Sequence, residues 1–366
     1  MTTNNRIQSV DALRGITIIA MILVNNPGSW NHVYSPLLHA EWHGLTPTDL
    51  IFPFFLFIVG ISISLAYNNK PLNKKNFKKL LIRSLKLIAL GLFINIYTPV
   101  FPFIENIQTF RIPGVLQRIG IVFFISSIIF FKFKTKMIIQ LIIAFLISYF
   151  ILLKFIPLPN NINPSLENNL NNWVNYVDFK VLGNHLWKKA FDPEGILSTI
   201  PAVTTCLLGI LAGKIINKTT EHKKEHLLLS YAVYLLGSGY LWSLWFPINK
   251  NIWSSSFVLV TAGWATITLA LFYYLYDIQT RNTPKILTYV SKNAIIIYFL
   301  SMIVAKTFYL LKVSKTQNLH TWLFDNLFYN ILNNPKLASL IYAIVVVIFY
   351  LFLGQYLFKK KIFFKV

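Results

Sequence analysis

Three stretches, residues 137–153, 196–212 and 338–353, contain no Asp, Glu, Lys or Arg. With their flanks each reaches about 20 residues, the length an α-helix needs to cross a hydrocarbon core. A segment facing lipid finds no water for its peptide groups, so it must close its own hydrogen bonds, which within one segment only a helix does. The rest of the chain follows suit: 55% of its 366 residues are hydrophobic and 13% are charged, against about 25% charged in an ordinary soluble domain. The expected fold is all-α, a single membrane domain over 1–366 built as a polytopic bundle of about ten helices. The spans fall near 10–27, 49–67, 84–100, 113–131, 137–156, 195–216, 227–246, 254–277, 288–310 and 337–357.

A net charge of +22 would point to nucleic acid if the charges shared one face. They do not. Basic residues occupy every second connection: Lys70, Lys74, Lys75, Lys78, Lys79 and Arg83; Lys132, Lys134 and Lys136; Lys214, Lys218, Lys223 and Lys224; Arg281 and Lys285; and Lys359, Lys360, Lys361 and Lys365. Residues 28–48 hold no Lys or Arg. This is the positive-inside pattern, which puts the basic connections and, with an even number of spans, both termini in the cytoplasm. Membrane lipid is therefore an expected partner, and nucleic acid is not. Asp11 and Arg14 abut the first apolar run and no small-x-small site follows it, so it is read as a span rather than a cleaved signal. Cys206 is the only cysteine and sits in an apolar run, so it reads as a small core residue.

Ionisable groups at or near membrane depth are costly, which makes them the first candidates for a site. Asp11 and Arg14 share a helix face at the entry of the first span, either as an interfacial anchor or with Arg14 aimed at the phosphates of a ligand. After Asn25 and Asn26, a Pro-Gly breaker leads into a loop with His32, His39 and His43 beside Trp30, Glu41 and Trp42, and Thr46-Pro47-Thr48-Asp49 opens the second span as a capped start. The histidine spacing has no matching cluster elsewhere, so no metal is expected; a neutral histidine beside a carboxylate fits general-base work. In RIPGVLQR (111–118), Pro113 marks a first turn, which carries Arg118 into the fourth span, where it needs an acidic partner or an anionic ligand. Asp192 and Glu194 precede the sixth span, either complementing its dipole or binding a cationic or polyhydroxyl substrate. The segment 157–194 is too long for a turn and reads as a cover over a site or a solvated spacer.

These motifs, SVDALRG (9–15), HAEWHGLTPTDLIFPFFLFIVG (39–60), RIPGVLQRIG (111–120), DPEGILSTIPAV (192–203), LLGILAGK (207–214), FPINKNIWSSSFVL (246–259) and SKNAIIIY (291–298), occur in an order that resembles the bacterial relatives of the heparan-alpha-glucosaminide N-acetyltransferase family. The resemblance implies a transmembrane N-acetyltransferase of a bacterial inner membrane, moving acetyl from cytoplasmic acetyl-CoA to the amino group of a glucosamine-type sugar on the far side. It implies a homodimer. The family's catalytic histidine falls on His39, its companion asparagine on Asn25, and its carboxylates on Asp49 and Glu194. The expected assignment is therefore His39, Asn25 and Asp49 in catalysis, Glu194, Asp192 and Trp42 on the acceptor, and Arg14, Asn25 and Arg118 on acetyl-CoA. A polysaccharide O-acyltransferase and a sugar transporter are the alternatives.

Overall fold

The computed structural model describes residues 7–188, 191–217 and 223–364; Lys218 and Lys365 of the basic connections lie outside them. Among the described residues every regular element is helical. In chain order these are α1 (Gln8–Asn25), α2 (Ile51–Tyr67), α3 (Lys74–Ile96), α4 (Val115–Lys132), α5 (Thr135–Phe155), α6 (Trp173–Leu182) and α7 (Thr199–Asn217). There follow α8 (Lys224–Trp242), α9 (Ser255–Phe272), α10 (Lys285–Lys292), α11 (Ala294–Leu310), α12 (Leu319–Phe324), α13 (Asn330–Leu332) and α14 (Pro335–Lys359). A 3-10 turn, Pro47–Leu50, leads into α2, and a π-helical turn, Tyr273–Ile278, extends α9.

Among the described residues seven of these helices, α1, α2, α4, α5, α7, α9 and α14, are long and apolar enough to cross a membrane, and α10 with α11 makes an eighth if the bent pair is one span. The other two expected spans fall on α3 and α8, helices of 23 and 19 residues that open with charged turns. The expected single span at 288–310 is instead broken by 78°. The cause is Asn293, whose amide donates to Ile362 O at 3.0 Å and accepts from Phe364 N at 3.2 Å, so it serves the carboxy-terminal segment rather than the helix. α7 starts at Thr199, four residues after the expected boundary, because Asp192–Gly195 forms a turn with its own partners.

The bundle is apolar on its outside as well as its inside. α5 buries Ile138, Ile142, Leu146, Tyr149 and Leu153 and turns Ile139, Ile143, Ile147 and Ile151 outward. A helix that is hydrophobic all round needs an apolar medium on its free face, and the chain is a multi-pass membrane protein. Its centre is the contact of α2 with α7, where the backbones touch: a Cβ on Gly60 would stand 1.9 Å from Cys206 O, and one on Gly209 2.0 Å from Phe57 O. Small residues that allow this approach supply packing where lipid offers no hydrophobic drive between helices.

The direction of α2 separates two ends. Asp49 precedes it and Lys70 follows it, and its 17 residues rise about 26 Å at 1.5 Å each. At the Lys70 end, Gln8 N and Ser9 N of α1 donate to the Asp277 carboxylate at 2.8 and 2.9 Å, and Asn217 of α7 donates to Ser64 O at 3.2 Å. At the Asp49 end the starts of α4, α7 and α9 converge with the loops that carry the candidate site.

Candidate active site

The loop before α2 is built around one carboxylate. Pro47 fixes the first turn, and Thr46 and Asp49 form a reciprocal capping box. Asp49 Oδ2 accepts from Thr46 N at 3.0 Å and from Ala40 N at 3.1 Å, and Oδ1 lies 2.7 Å from His39 Nδ1. Asp49 is fully buried while the His39 side chain is 47% exposed. A carboxylate already holding two N–H donors can only accept from the ring. Nδ1 must then carry the proton, which leaves the lone pair on Nε2.

The facing wall is the segment between α8 and α9. Gly44 N donates to Ile248 O at 2.8 Å, and Asn249 Nδ2 lies 3.2 Å from His43 Nδ1, tying the two loops edge to edge. Trp253, fully buried, adopts a left-handed φ of 52°, a conformation that non-glycine residues hold only when their surroundings impose it. Its ring packs edge-on against Phe52 and Phe257, and its Nε1 donates to Thr205 at 3.1 Å. This turn delivers Lys250 to His39: Nζ is 3.0 Å from Nδ1 and 3.0 Å from Nε2, and 3.8 Å from Asp49 Oδ1. Since Nδ1 has its proton directed at Asp49, Nε2 is the atom that can accept from Lys250. Burial pulls the Lys250 ammonium below the ordinary lysine range, against the upward pull of Asp49 and Glu194.

A second polar constellation stands beside it. Arg111 Nε and Nη2 grip Asp192 at 2.7 and 2.5 Å, and Nη2 also contacts the Glu194 carboxylate. Asp192 further accepts from Trp187 N and Glu194 N. The two acidic residues expected to hold acceptor are thus committed to an arginine, and their charges raise the Arg111 pKa despite its burial. Arg118, 1% exposed, donates to Gly195 O at 2.9 Å and Ser198 Oγ at 2.5 Å and lies over the Trp253 ring at 5.1 Å. Its partners are protein atoms of the α7 entry. Asp178 of α6 accepts from Ile196 N at 2.9 Å and Asp192 N at 3.3 Å. Burial pushes it up to about 6, with those two donors and Arg118 pulling the other way.

The remaining expected residues are spread over the molecule. Arg14 lies at the opposite end, donating to Asp11 at 3.1 Å and Ser62 at 2.8 Å. Asn25 ends α1 half-buried, and among the described residues its side chain makes no hydrogen bond to His39 or to Lys250. Trp42 donates to Leu166 O at 2.9 Å and meets Phe191 edge-on at 5.3 Å. It fastens residues of the segment that carries α6 against the His39 loop. His32 lines a separate cavity of about 380 Å³ with Trp30, Tyr309, His320 and Asp325, away from His39. Among the described residues no three His, Cys, Asp or Glu side chains converge as a metal site. Lys250 and Arg111 were not singled out from sequence. The available signal for Lys250 was its isolation, a lone cation between asparagines in the uncharged stretch 246–259.

Residues 6–246 match the family described as heparan-alpha-glucosaminide N-acetyltransferase, catalytic. The chain is similar to heparan-alpha-glucosaminide N-acetyltransferase of Mus musculus, at 30% identity covering 80% of this chain and 53% of the relative. It is similar to the Homo sapiens protein of the same name at 29% identity, covering 80% of this chain and 52% of the relative. The chain spans about half the length of the curated relatives it matches.

Proposed function

The chain belongs to the heparan-alpha-glucosaminide N-acetyltransferase family, and from that premise we propose that it transfers acetyl from acetyl-CoA to the amino group of a glucosamine-type sugar across a bacterial inner membrane. In this reading α3 and α8 also span, which gives ten crossings with both termini cytoplasmic and the basic connections inside. His39 then faces the far side and Arg14 the cytoplasm, where its guanidinium, 23% exposed, would take a phosphate of the nucleotide. The functional unit is proposed as a homodimer.

The observation that carries the proposal is the Asp49–His39 pair: a buried carboxylate holds Nδ1 at 2.7 Å and fixes the tautomer whose Nε2 is basic. Acetyl-CoA is the donor substrate and supplies a thioester-activated acetyl group. His39 Nε2 takes a proton from the sugar amine as nitrogen adds to the acetyl carbon, and returns it to the departing sulfur as the C–S bond breaks. Asp49 orients the ring and offsets the transient imidazolium, a role its buried hydrogen bonds suit better than contact with the acceptor. Asn25 and Trp42 stay as proposed contacts of acetyl group and acceptor. Arg118, Asp192 and Glu194 are assigned to holding the α4–α7 entry that backs the site, in place of direct cofactor or substrate contact.

The test is purified protein in lipid nanodiscs with acetyl-CoA and glucosamine, following free thiol release and the acetylated sugar. Thiol release that requires a free amine, absent with N-acetylglucosamine, supports the reading. Equal turnover with N-acetylglucosamine would make it an O-acyltransferase, and uptake of sugar without acetyl-CoA consumption would make it a transporter.

A further inference from the structure

A histidine base oriented by a carboxylate has no use for a cation on its lone pair. The Lys250 ammonium, 3.0 Å from His39 Nε2, occupies the atom that must accept the acceptor's proton. It also opposes the imidazolium that then forms, because like charges at this range repel. Neutralising Asp49 accounts for its charge only in part. The Asp49–Lys250 separation is 3.8 Å, whereas four closer donors, His39 Nδ1, Thr46 N, Thr46 Oγ1 and Ala40 N, already serve that carboxylate. The lysine side chain is 15% exposed, so its charge sits where it is costly to keep.

The cost is recovered if a second negative charge forms in the site. Resting on the reading of His39 as the base, we propose that Lys250 is a catalytic residue whose Nζ leaves His39 Nε2 for the carbonyl oxygen of the thioester when the acceptor amine takes its place on the ring. As nitrogen bonds to the acetyl carbon, the carbonyl π pair moves to oxygen and the amine proton to Nε2. Four charges then alternate: Asp49 negative, imidazolium positive, oxyanion negative, Lys250 positive. On collapse the oxygen pair re-forms the carbonyl, the C–S pair leaves with sulfur, and the imidazolium proton follows it to give the thiol. Lys250 keeps all of its protons, acting as a preorganised donor to developing charge. Asn25 was expected beside His39 in catalysis, but the cation the fold delivers beside the base is Lys250.

The test compares wild type with Lys250→Met and Lys250→Arg, each in nanodiscs with acetyl-CoA and glucosamine. Lys250→Met is expected to lower kcat by about 100-fold or more, as removal of one oxyanion donor does, with the glucosamine KM within about threefold. Wild-type kcat should fall as pH rises through the Lys250 pKa, because only the ammonium donates, and burial sets that fall below the ordinary lysine value of about 10.4. Lys250→Arg should keep about a tenth or more of wild-type kcat and lose that alkaline fall, since a guanidinium stays charged. Lys250→Met with kcat within threefold of wild type would overturn the inference. So would an identical alkaline fall in Lys250→Arg, which decides the matter even if the methionine variant misfolds. A wild type that acetylates no amine would instead sink the proposed activity itself.

Discussion

Two charged constellations share one end of the bundle, and they differ in what is left over. Around Arg111 the carboxylates are taken up: Asp192 takes two guanidinium nitrogens and two backbone N–H groups, and Glu194 takes a third contact. Around His39 the buried partner, Asp49, is satisfied, but the half-exposed imidazole keeps a basic nitrogen that, among the described residues, is hydrogen-bonded to a lysine alone. A closed set of hydrogen bonds resists substitution and does no chemistry. An open valence held by a closed second layer is what proton transfer needs, because orientation is fixed in advance and the reactive atom stays available.

The sharpest way to break the contrast is to exchange its consequences. His39→Ala removes an exposed side chain from a loop, so the protein should fold and melt as wild type while acetyl transfer falls by at least about 1,000-fold, the scale of losing a general base together with its oriented proton path. Retention of more than a few per cent of activity would move the chemistry elsewhere. Arg111→Ala should do the reverse. It strands Asp192, which is fully buried, and breaking a buried pair by removing one partner costs about 3–5 kcal/mol. Yield and melting temperature should drop sharply, while kcat per folded molecule stays within about threefold. A normal melting curve with lost activity would place Arg111 among the reacting groups.

Asp49→Asn probes the join between the two behaviours. The shape is kept, and the amide oxygen can still accept one backbone N–H, but an amide cannot offset an imidazolium and can present an N–H to Nδ1, favouring the wrong tautomer. A loss in kcat of about 100-fold is expected, with a change in melting temperature smaller than that of Arg111→Ala. Equal effects on folding and rate would mean the carboxylate serves chiefly as the cap of the Pro47–Leu50 turn.

The fold and the site were legible to different depths. Uncharged stretches such as 137–153 and 338–353 found α5 and α14 because crossing lipid imposes length and composition on a segment by itself. The break at Asn293 was hidden, since it depends on hydrogen bonds to Ile362 and Phe364, seventy residues on. His39 and Asp49 were legible because ten residues and one capping box join them. Lys250 and Arg111 were not, because each acquires its meaning from a partner more than eighty residues away. The same distance hid the commitment of Asp192 and Glu194: as a sequence, DPEG shows two carboxylates that either complement a helix dipole or await a ligand, and only the fold supplies the arginine.

The closed constellation also contains one charge too many, and this gives the smallest of the expected effects. Asp178, Asp192 and Glu194 face Arg111 and Arg118, three carboxylates to two guanidinium groups, so the set balances when Asp178 is protonated. Asp178 is fully buried, packed so closely on the chain that a Cβ on Gly195 would stand 1.9 Å from Oδ2. Burial accordingly raises its folded pKa to about 6, against about 3.9 in an unfolded chain. Between these values the folded state binds the extra proton, so stability falls as pH rises: the contribution is whole below about 4 and gone above about 6. Other carboxylates titrate in the same range, so the useful quantity is a difference. The melting temperature of Asp178→Asn, which keeps an oxygen for Ile196 N and carries no charge, should gain on wild type by a few degrees as the pH is raised from 5 to 7. A gap between the two proteins that stays constant over that interval would mean that Asp178 is ionised throughout, and that the cluster around Arg111 tolerates the surplus charge after all.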